Sequence, residues 1–421
     1  MTKIYFAHIP KSGGTTINAW LDDAVSYEKA MPGNFNRDLI KWFAQSGIGR
    51  RRGAKAVSNI CWEIFDVIHG HNNNLAGKAQ DTVVVTIFRQ PVERCISLFY
   101  DQASLSEAHL EHVSRRARIY YRDCRSESFS TIRAKWSKFR AFQEKYADQV
   151  CRHFLSSDAS FREFCALSPR ARFERAVEKI AQDVNGVGFT ESMEKTAGLF
   201  SKTLGLYPVS SLPRLNLGRP KTTPITDEDR QYLASINVAD QLLYDYFRKR
   251  FDDAKVDYSA EDFERDRLPD AIKRVTVRSF EGHLLYDMNA ALLGSGFWGR
   301  DGAGQKDCCR WTGPENDSTL YIPACRDGEN IVDLLVRGWM SGENRASLEI
   351  KVWGEPVAHK FLPAPKLADI VRFRASPRNG ILKLQFHCRA LTDDECLRAL
   401  SDGRRKGFAI SHIKVTSASA T

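Results

Sequence analysis

The segment His8-Ile-Pro-Lys11-Ser12-Gly13-Gly14-Thr15-Thr16 packs a lysine, two glycines and three hydroxyl residues into one short turn. An apolar run, Lys3 to Ile9, precedes it. Ile17, Trp20, Leu21, Ala24 and Val25 follow at i, i+3, i+4, i+7 and i+8, the stripe of an amphipathic helix. A turn of small residues between strand and helix presents backbone N–H groups at the positive end of a helix dipole, which is an anion site. Gly13 and Gly14 let an oxyanion approach the backbone, Thr15 and Thr16 add hydroxyl donors and can cap the helix, and Lys11 supplies a full charge. Lys11 precedes the glycines, whereas a Walker A loop places its lysine after them. The apolar run Thr82 to Phe88 leads into Arg89 rather than an aspartate that could hold magnesium. The chemistry expected is neutralisation of an anion by Lys and Arg without an evident metal.

Two further constellations could act with this turn. In Thr86-Ile-Phe-Arg89-Gln-Pro91-Val-Glu-Arg94-Cys-Ile-Ser97, Arg89 stands at the carboxyl end of a predicted buried strand, where open α/β sheets bind ligands. Pro91 suits the first position of the next helix, and Ser97 falls off its apolar stripe of Val92, Cys95, Ile96 and Phe99. His69-Gly70-His71 follows the apolar stretch Ile64 to Ile68 and precedes Asn72-Asn73-Asn74. Proton removal from a hydroxyl at neutral pH favours histidine, with Glu63, Asp66 and Asp101 as the carboxylate alternatives. His8, in the turn's own strand, suits burial or contact with a bound cofactor better than proton transfer.

These spellings closely resemble the sulfotransferases that use 3′-phosphoadenylyl sulfate. The run Pro10-Lys-Ser-Gly-Gly-Thr-Thr16 resembles their 5′-phosphosulfate loop, and Arg89 with Ser97 resembles the pair that clamps the cofactor's 3′-phosphate. Val187-Gly-Phe-Thr-Glu-Ser-Met193 looks like a segment that often follows in the family, and Arg219-Pro220-Lys221 is a looser match to its late basic loop. His69-Gly70-His71 is similar to an element of the uronyl 2-O-sulfotransferases, the nearest subfamily, in which the second histidine is the base. The resemblance spans roughly the first 250 residues. It implies a P-loop-like parallel sheet flanked by helices, a sulfuryl donor held by Lys11, Ser12, Gly13, Gly14, Thr15, Thr16, Arg89 and Ser97, and no metal. It further implies transfer to a carbohydrate or glycoconjugate hydroxyl, with His71 as base, His69 orienting it or the acceptor, and Lys11 stabilising the leaving phosphate. No amino-terminal membrane anchor of the kind that subfamily carries is read at the start of the sequence, so a Golgi setting is not expected.

The elements that must position these residues can be read from the whole chain of 421 residues, too long for one ordinary domain. Residues 1–252 alternate β-branched runs with amphipathic stretches, the pattern of a helix-flanked parallel sheet. Residues 105–180 read as almost wholly helical, Val184 to Thr190 as a strand and Asp227 to Phe251 as one terminal helix. Residues 253–274 read as a charged linker. From 275 to 421, short apolar runs separated by Gly, Pro, Asn and Asp suggest an antiparallel sandwich or jelly roll. Trp298 and Trp311 with Gly299, Gly302, Gly304 and Gly313, then Arg404-Arg-Lys-Gly-Phe408, resemble modules found beside bacterial glycosyltransferases. Trp298 and Trp311 are expected in its core, with glycan binding or assembly as its expected role.

Hydrophobic residues at 43% and charged residues at 27% describe a globular chain, and no 18-residue apolar run suggests a membrane span. The amino terminus is too short in apolar residues for a signal peptide, and none of the ten cysteines forms a CxxC pair, so cytoplasmic location and reduced thiols are expected. Net charge is +10, concentrated at Arg50, Arg51, Arg52 and Lys55 and in residues 110–152, where eleven Lys/Arg face five Asp/Glu. Arg115, Arg116, Arg118, Arg122 and Arg125 interleave with Tyr120 and Tyr121, a composition that suits an acidic glycan acceptor without nucleic acid and leaves peripheral membrane association open. The competing functions are a metal-dependent ATP kinase of a small molecule and a non-catalytic glycan-binding protein.

Overall fold

The computed structural model describes residues 3–32, 61, 63–70, 81–111, 113–156, 159–209, 212, 224–280, 282–392, 395 and 404–418. In the first half, four short strands, β1 (Ile4–Ala7), β2 (Val67–Gly70), β3 (Val83–Phe88) and β4 (Gly186–Phe189), form a wholly parallel sheet in the order β2-β1-β3-β4. β1 is buried throughout and β3 almost so, as expected of strands covered on both faces by helices. The chain leaves β1 toward one side of the sheet and β3 toward the other. The adjoining carboxyl ends of β1 and β3 therefore flank a topological switch point, the crevice where open α/β sheets hold ligands.

Helix α1 (Gly14–Asp23) follows β1, and α2 (Pro91–Ala103) follows β3 with Pro91 at its first position. Seven helices then fill the helical stretch: α3 (Glu107–Glu111), α4 (Arg115–Ser126), α5 (Phe129–Trp136), α6 (Arg140–Tyr146), α7 (Gln149–Leu155), α8 (Phe161–Ala166) and α9 (Pro169–Asp183). Serines punctuate them. Ser114, Ser128, Ser160 and Ser168 each accept a backbone N–H three residues on, so each starts a new helix rather than lengthening the last. After β4 comes α10 (Met193–Leu204).

The expected single helix over Asp227 to Phe251 is two, α11 (Asp227–Ser235) and α12 (Val238–Asp253). Asn237 makes the break: it is buried and non-helical, its side chain accepts Asp148 N at 3.2 Å, and its amide donates to Leu233 O at 2.8 Å. Leu233 and Leu243 consequently serve different cores.

Residues 253–274 also differ from the linker reading. They contain α13 (Ala260–Asp266) and α14 (Leu268–Ala271), and Phe263, Leu268 and Ala271 are buried within the core of the second domain.

That domain consists of two antiparallel sheets. One runs His359–Leu362, Asp369–Ala375, Asn330–Trp339, Phe408–Ser417, His283–Asp287, Arg278–Phe280, with Arg310–Trp311 pairing beside Phe408–Ser417. The other runs Glu355–Pro356, Glu349–Val352, Ile381–His387, Asp317–Pro323, Gly294–Ser295. Alternation puts Val332, Leu334, Val336, Ile413 and Val415 of one against Leu320, Ile322, Leu382, Leu384 and Phe386 of the other in one hydrophobic core, consistent with a β-sandwich. Among the described residues no helix is long and apolar enough to cross a membrane.

Candidate functional site

The turn after β1 is held by features that only its sequence permits. Lys11 and Gly13 both have positive φ, 69° and 77°, and Gly13 is the residue before α1. A lysine held there carries backbone strain, which the surrounding contacts must stabilise. Gly14 opens the helix beneath the ring of His8: a β-carbon on it would lie 1.9 Å from His8 Nε2. His8 is itself buried and stacked on Phe6, with ring centroids 5.4 Å apart. Ser12 is wholly buried, and its Oγ has no hydrogen-bond partner among the described residues. A buried hydroxyl left unpaired beside a helix amino terminus fits an anion, since it costs stability until something accepts or donates there. Thr15 is exposed and Thr16 half-buried on the first turn of α1.

The neighbouring strand ends close on this turn. Thr86 of β3 donates to Ala7 O of β1 at 2.8 Å, which locks the two strand ends together. Arg89 Nη1 donates to Lys11 O at 3.3 Å, so the lysine and arginine singled out in separate motifs meet at the switch point. The Thr190 hydroxyl, just after β4, lies within hydrogen-bond reach of both Ser12 O (2.9 Å) and Phe88 O (3.1 Å), shares its one hydrogen between them and so joins all three loops. Lys11 Nζ lies 3.0 Å from Asp101 Oδ1, on the last turns of α2, with both side chains partly exposed. Ser97 lies one turn nearer the start of the same helix and is half-buried. Gln90 caps α2 by accepting Glu93 N at 2.8 Å, and its own N–H donates to Glu191 Oε1 at 2.8 Å.

His69 sits in β2, buried, with Nε2 3.2 Å from Asp22 Oδ1 of α1. Neither atom has an aligned hydrogen-bond partner among the described residues. His71 lies outside the described residues, as do Arg50, Arg51, Arg52, Lys55 and Arg219-Pro220-Lys221. Of the carboxylate alternatives, Asp101 stands against Lys11, Glu63 is exposed, and Asp66 is half-buried just before β2.

The arginines of α4 have local partners. Arg118 donates to Leu110 O and Glu111 O, and Arg122 and Arg125 pair with Glu107 at 2.9 and 2.6 Å. Arg116 stacks over Phe139 at 4.1 Å, and Arg115 is exposed. The helix nonetheless packs against α2, where Tyr120 donates to Gln102, the neighbour of Asp101, at 2.8 Å. Its buried Tyr120 and Cys124 face α2, whereas Arg118, Arg122 and Arg125 turn to α3 and the loop before it. In the sandwich, Trp298 is buried and donates to Arg405 O at 2.7 Å, while Trp311 is half-buried.

Two residues that matter here carried no motif signal beyond their neighbours. Thr190 lay inside a segment singled out only as a whole, and Asp22 inside an amphipathic helix. Pairing across 178 residues, as Thr190 does with Ser12, leaves no mark in local spacing. Among the described residues, no group of three or more His, Cys, Asp or Glu could hold a metal ion.

No protein-family model matches the chain, and no curated protein matches it. Among solved structures it is similar to a family 35 carbohydrate-binding module from Clostridium thermocellum, at 13% identity and a TM-score of 0.21, over 34% of this chain and 98% of the module.

Proposed function

We propose that the chain is a sulfotransferase that moves a sulfuryl group from 3′-phosphoadenylyl sulfate to a hydroxyl, on a carbohydrate or glycoconjugate. The observation that carries the reading is the meeting of the Lys11 turn and Arg89 at the β1/β3 switch point, with the buried, unpaired Ser12 hydroxyl between Lys11 and the start of α1. In this reading the first half is a P-loop-like sulfotransferase domain and the second a jelly-roll module.

When bound, the nucleotide supplies an activated sulfuryl group and a phosphate leaving group. Backbone N–H groups at Gly13 and Gly14, with the hydroxyls of Ser12, Thr15 and Thr16, would hold its 5′ end. Arg89 and Ser97 would hold the 3′-phosphate. Lys11 would leave Asp101 and place its ammonium against the charge that grows on the departing phosphate, where a fixed cation lowers the barrier most. The acceptor hydroxyl loses its proton to a base, His71 in the first reading. Asp101 is the competing base, brought to the site by its 3.0 Å contact with Lys11 and able to take a proton once the lysine has left it. An acidic acceptor suits the basic face of α4, Arg115, Arg116, Arg118 and Arg122 included.

Labelled 3′-phosphoadenylyl sulfate offered with a panel of sugars, glycolipids and peptides tests the reading, with and without chelator. Label transfer that survives chelator is expected. Turnover of ATP that needs magnesium would replace this reading by a kinase, and tight binding of adenosine 3′,5′-bisphosphate without turnover by a binding protein. His71→Ala is expected to cost orders of magnitude in rate while sparing nucleotide affinity. Loss on Asp101→Asn instead, with His71→Ala active, assigns the base to the carboxylate.

A further inference from the structure

Helix α1 begins at the anion turn and ends against the other domain. Its terminal carbonyls have no partners within the helix. Here they are met by the sandwich: Arg300 donates from Nη1 to Asp22 O at 2.9 Å and from Nη2 to Val25 O, and Leu292 N donates to Asp23 O at 2.8 Å. Asp23 adds a charge. Its Oδ1 lies 2.6 Å from Arg310 Nη1 and 3.6 Å from Arg300 Nη1. Arg310 is wholly buried, and the side chain of Arg300 is 5% exposed. Arg310 also donates from Nε to Met288 O at 3.2 Å, which ties it to the sandwich. Tyr27 N donates to Asn289 O at 2.9 Å and continues the seam beyond the helix. The Asp23–Arg310 contact is an ion pair without an aligned hydrogen bond at Nη1, while the bonds to Asp22 O, Asp23 O and Met288 O are aligned. Charges so buried are costly unless paired, and a cation at a helix carboxyl end is favoured by the dipole, so the two surfaces are held together rather than sliding.

The adjacent aspartate faces the other way, toward His69 of β2. The two side chains thus join the sandwich arginines, the anion helix and the sheet histidine within two residues of chain.

We propose that Arg300 and Arg310 are positioning residues for the anion site: they bolt the sandwich to the far end of α1, so that the geometry of the Lys11 turn depends on the second domain. A ten-residue helix is a stiff lever, and a shift at Asp23 is delivered to Gly14 and to His69. The clamp itself does not depend on which nucleotide binds; its effect on the turn rests on the reading above.

The test uses the full chain with Arg310→Met, Arg310→Lys and, as a control, Leu384→Ala, which opens a cavity in the sandwich core far from the clamp in sequence. Unfolding is followed by heat and by limited proteolysis, and adenosine 3′,5′-bisphosphate affinity is measured well below each midpoint. The wild type is expected to unfold in one cooperative transition. Arg310→Met should split it, with the first domain losing on the order of 5 °C. Nucleotide affinity should fall about tenfold or more in Arg310→Met, recover in part in Arg310→Lys, which keeps the charge, and stay within about twofold in Leu384→Ala. Two independent transitions in the wild type, or equal losses of affinity in Arg310→Met and Leu384→Ala, would overturn the proposal. If the wild type binds no nucleotide, the sulfotransferase reading fails while the unfolding pattern still decides on the clamp.

Discussion

At the residue scale, the Lys11 turn is built by mutual constraint between small and large side chains. Gly14 has no room for a β-carbon because His8 lies over it, so Gly14→Ala should push the imidazole aside or shift the start of α1. We expect Gly14→Ala to lower thermal stability and to abolish nucleotide binding, and Gly14→Ala with His8→Ala to recover much of the stability. Calorimetry on the wild type and the two variants checks this; an unchanged midpoint for Gly14→Ala would mean that the ring is not confined. Lys11 is a different case, because its contacts are a bond from Arg89 to its carbonyl and an ion pair with a partly exposed aspartate. Exposed pairs of this kind contribute little, roughly 0–1 kcal/mol. Lys11→Ala should therefore leave stability nearly unchanged while removing sulfuryl transfer, and a variant that keeps turnover would count heavily against the proposed mechanism.

At the element scale, the joint between α11 and α12 is held by a buried polar network around α7. Asp240 of α12 accepts Val150 N and Cys151 N at 2.9 and 2.8 Å, and its own N–H donates to Asp148, which pairs with Arg172 at 2.8 Å. Burial, with Asp148 adding to it, pushes the Asp240 carboxyl up from its ordinary value to about 6. The folded state thus holds that proton more tightly than the unfolded chain. The resulting stability is present in full below pH of about 4, the unfolded value, and is lost as pH rises through about 6. Denaturant titrations from pH 4 to 7 should show the wild type losing on the order of 2 kcal/mol relative to Asp240→Asn over that window. A flat or opposite difference would place the proton elsewhere. Asn237→Ala removes two buried hydrogen bonds at the same joint and should cost about 3 kcal/mol, since their partners stay buried.

At the scale of the whole molecule, the boundary between domains is also a packed layer. Phe263 of α13 is wholly buried against Tyr207 and Tyr321, with ring centroids 5.4 and 6.2 Å apart, and Tyr321 donates to Glu264 at 2.6 Å. The segment that joins the domains in sequence therefore covers the outer face of one sandwich sheet. Phe263→Ala should cost about 3–5 kcal/mol and register in the sandwich, reported by the fluorescence of its tryptophans, before the parallel sheet melts. Loss confined to the first domain would show that the helix belongs to that side.

The sequence alone placed β1, β3 and β4, the glycine turn between β1 and α1, the start of α2 at Pro91 and several of the antiparallel strands, because each rests on periodicity, glycine and proline within a few residues. It also singled out Lys11 and Arg89, each at the end of a strand. The tertiary structure alone decided that Arg89 touches the Lys11 carbonyl, that Asp101 holds the Lys11 ammonium, and that Thr190 stitches three loops. It likewise decided that Asn237 divides a helix whose apolar stripe runs on, and that a charged linker is a buried layer. Each of those outcomes depends on groups brought together across tens to hundreds of residues, and a pattern read along the chain records only which side chains could be buried or paired, not which partners the fold gives them.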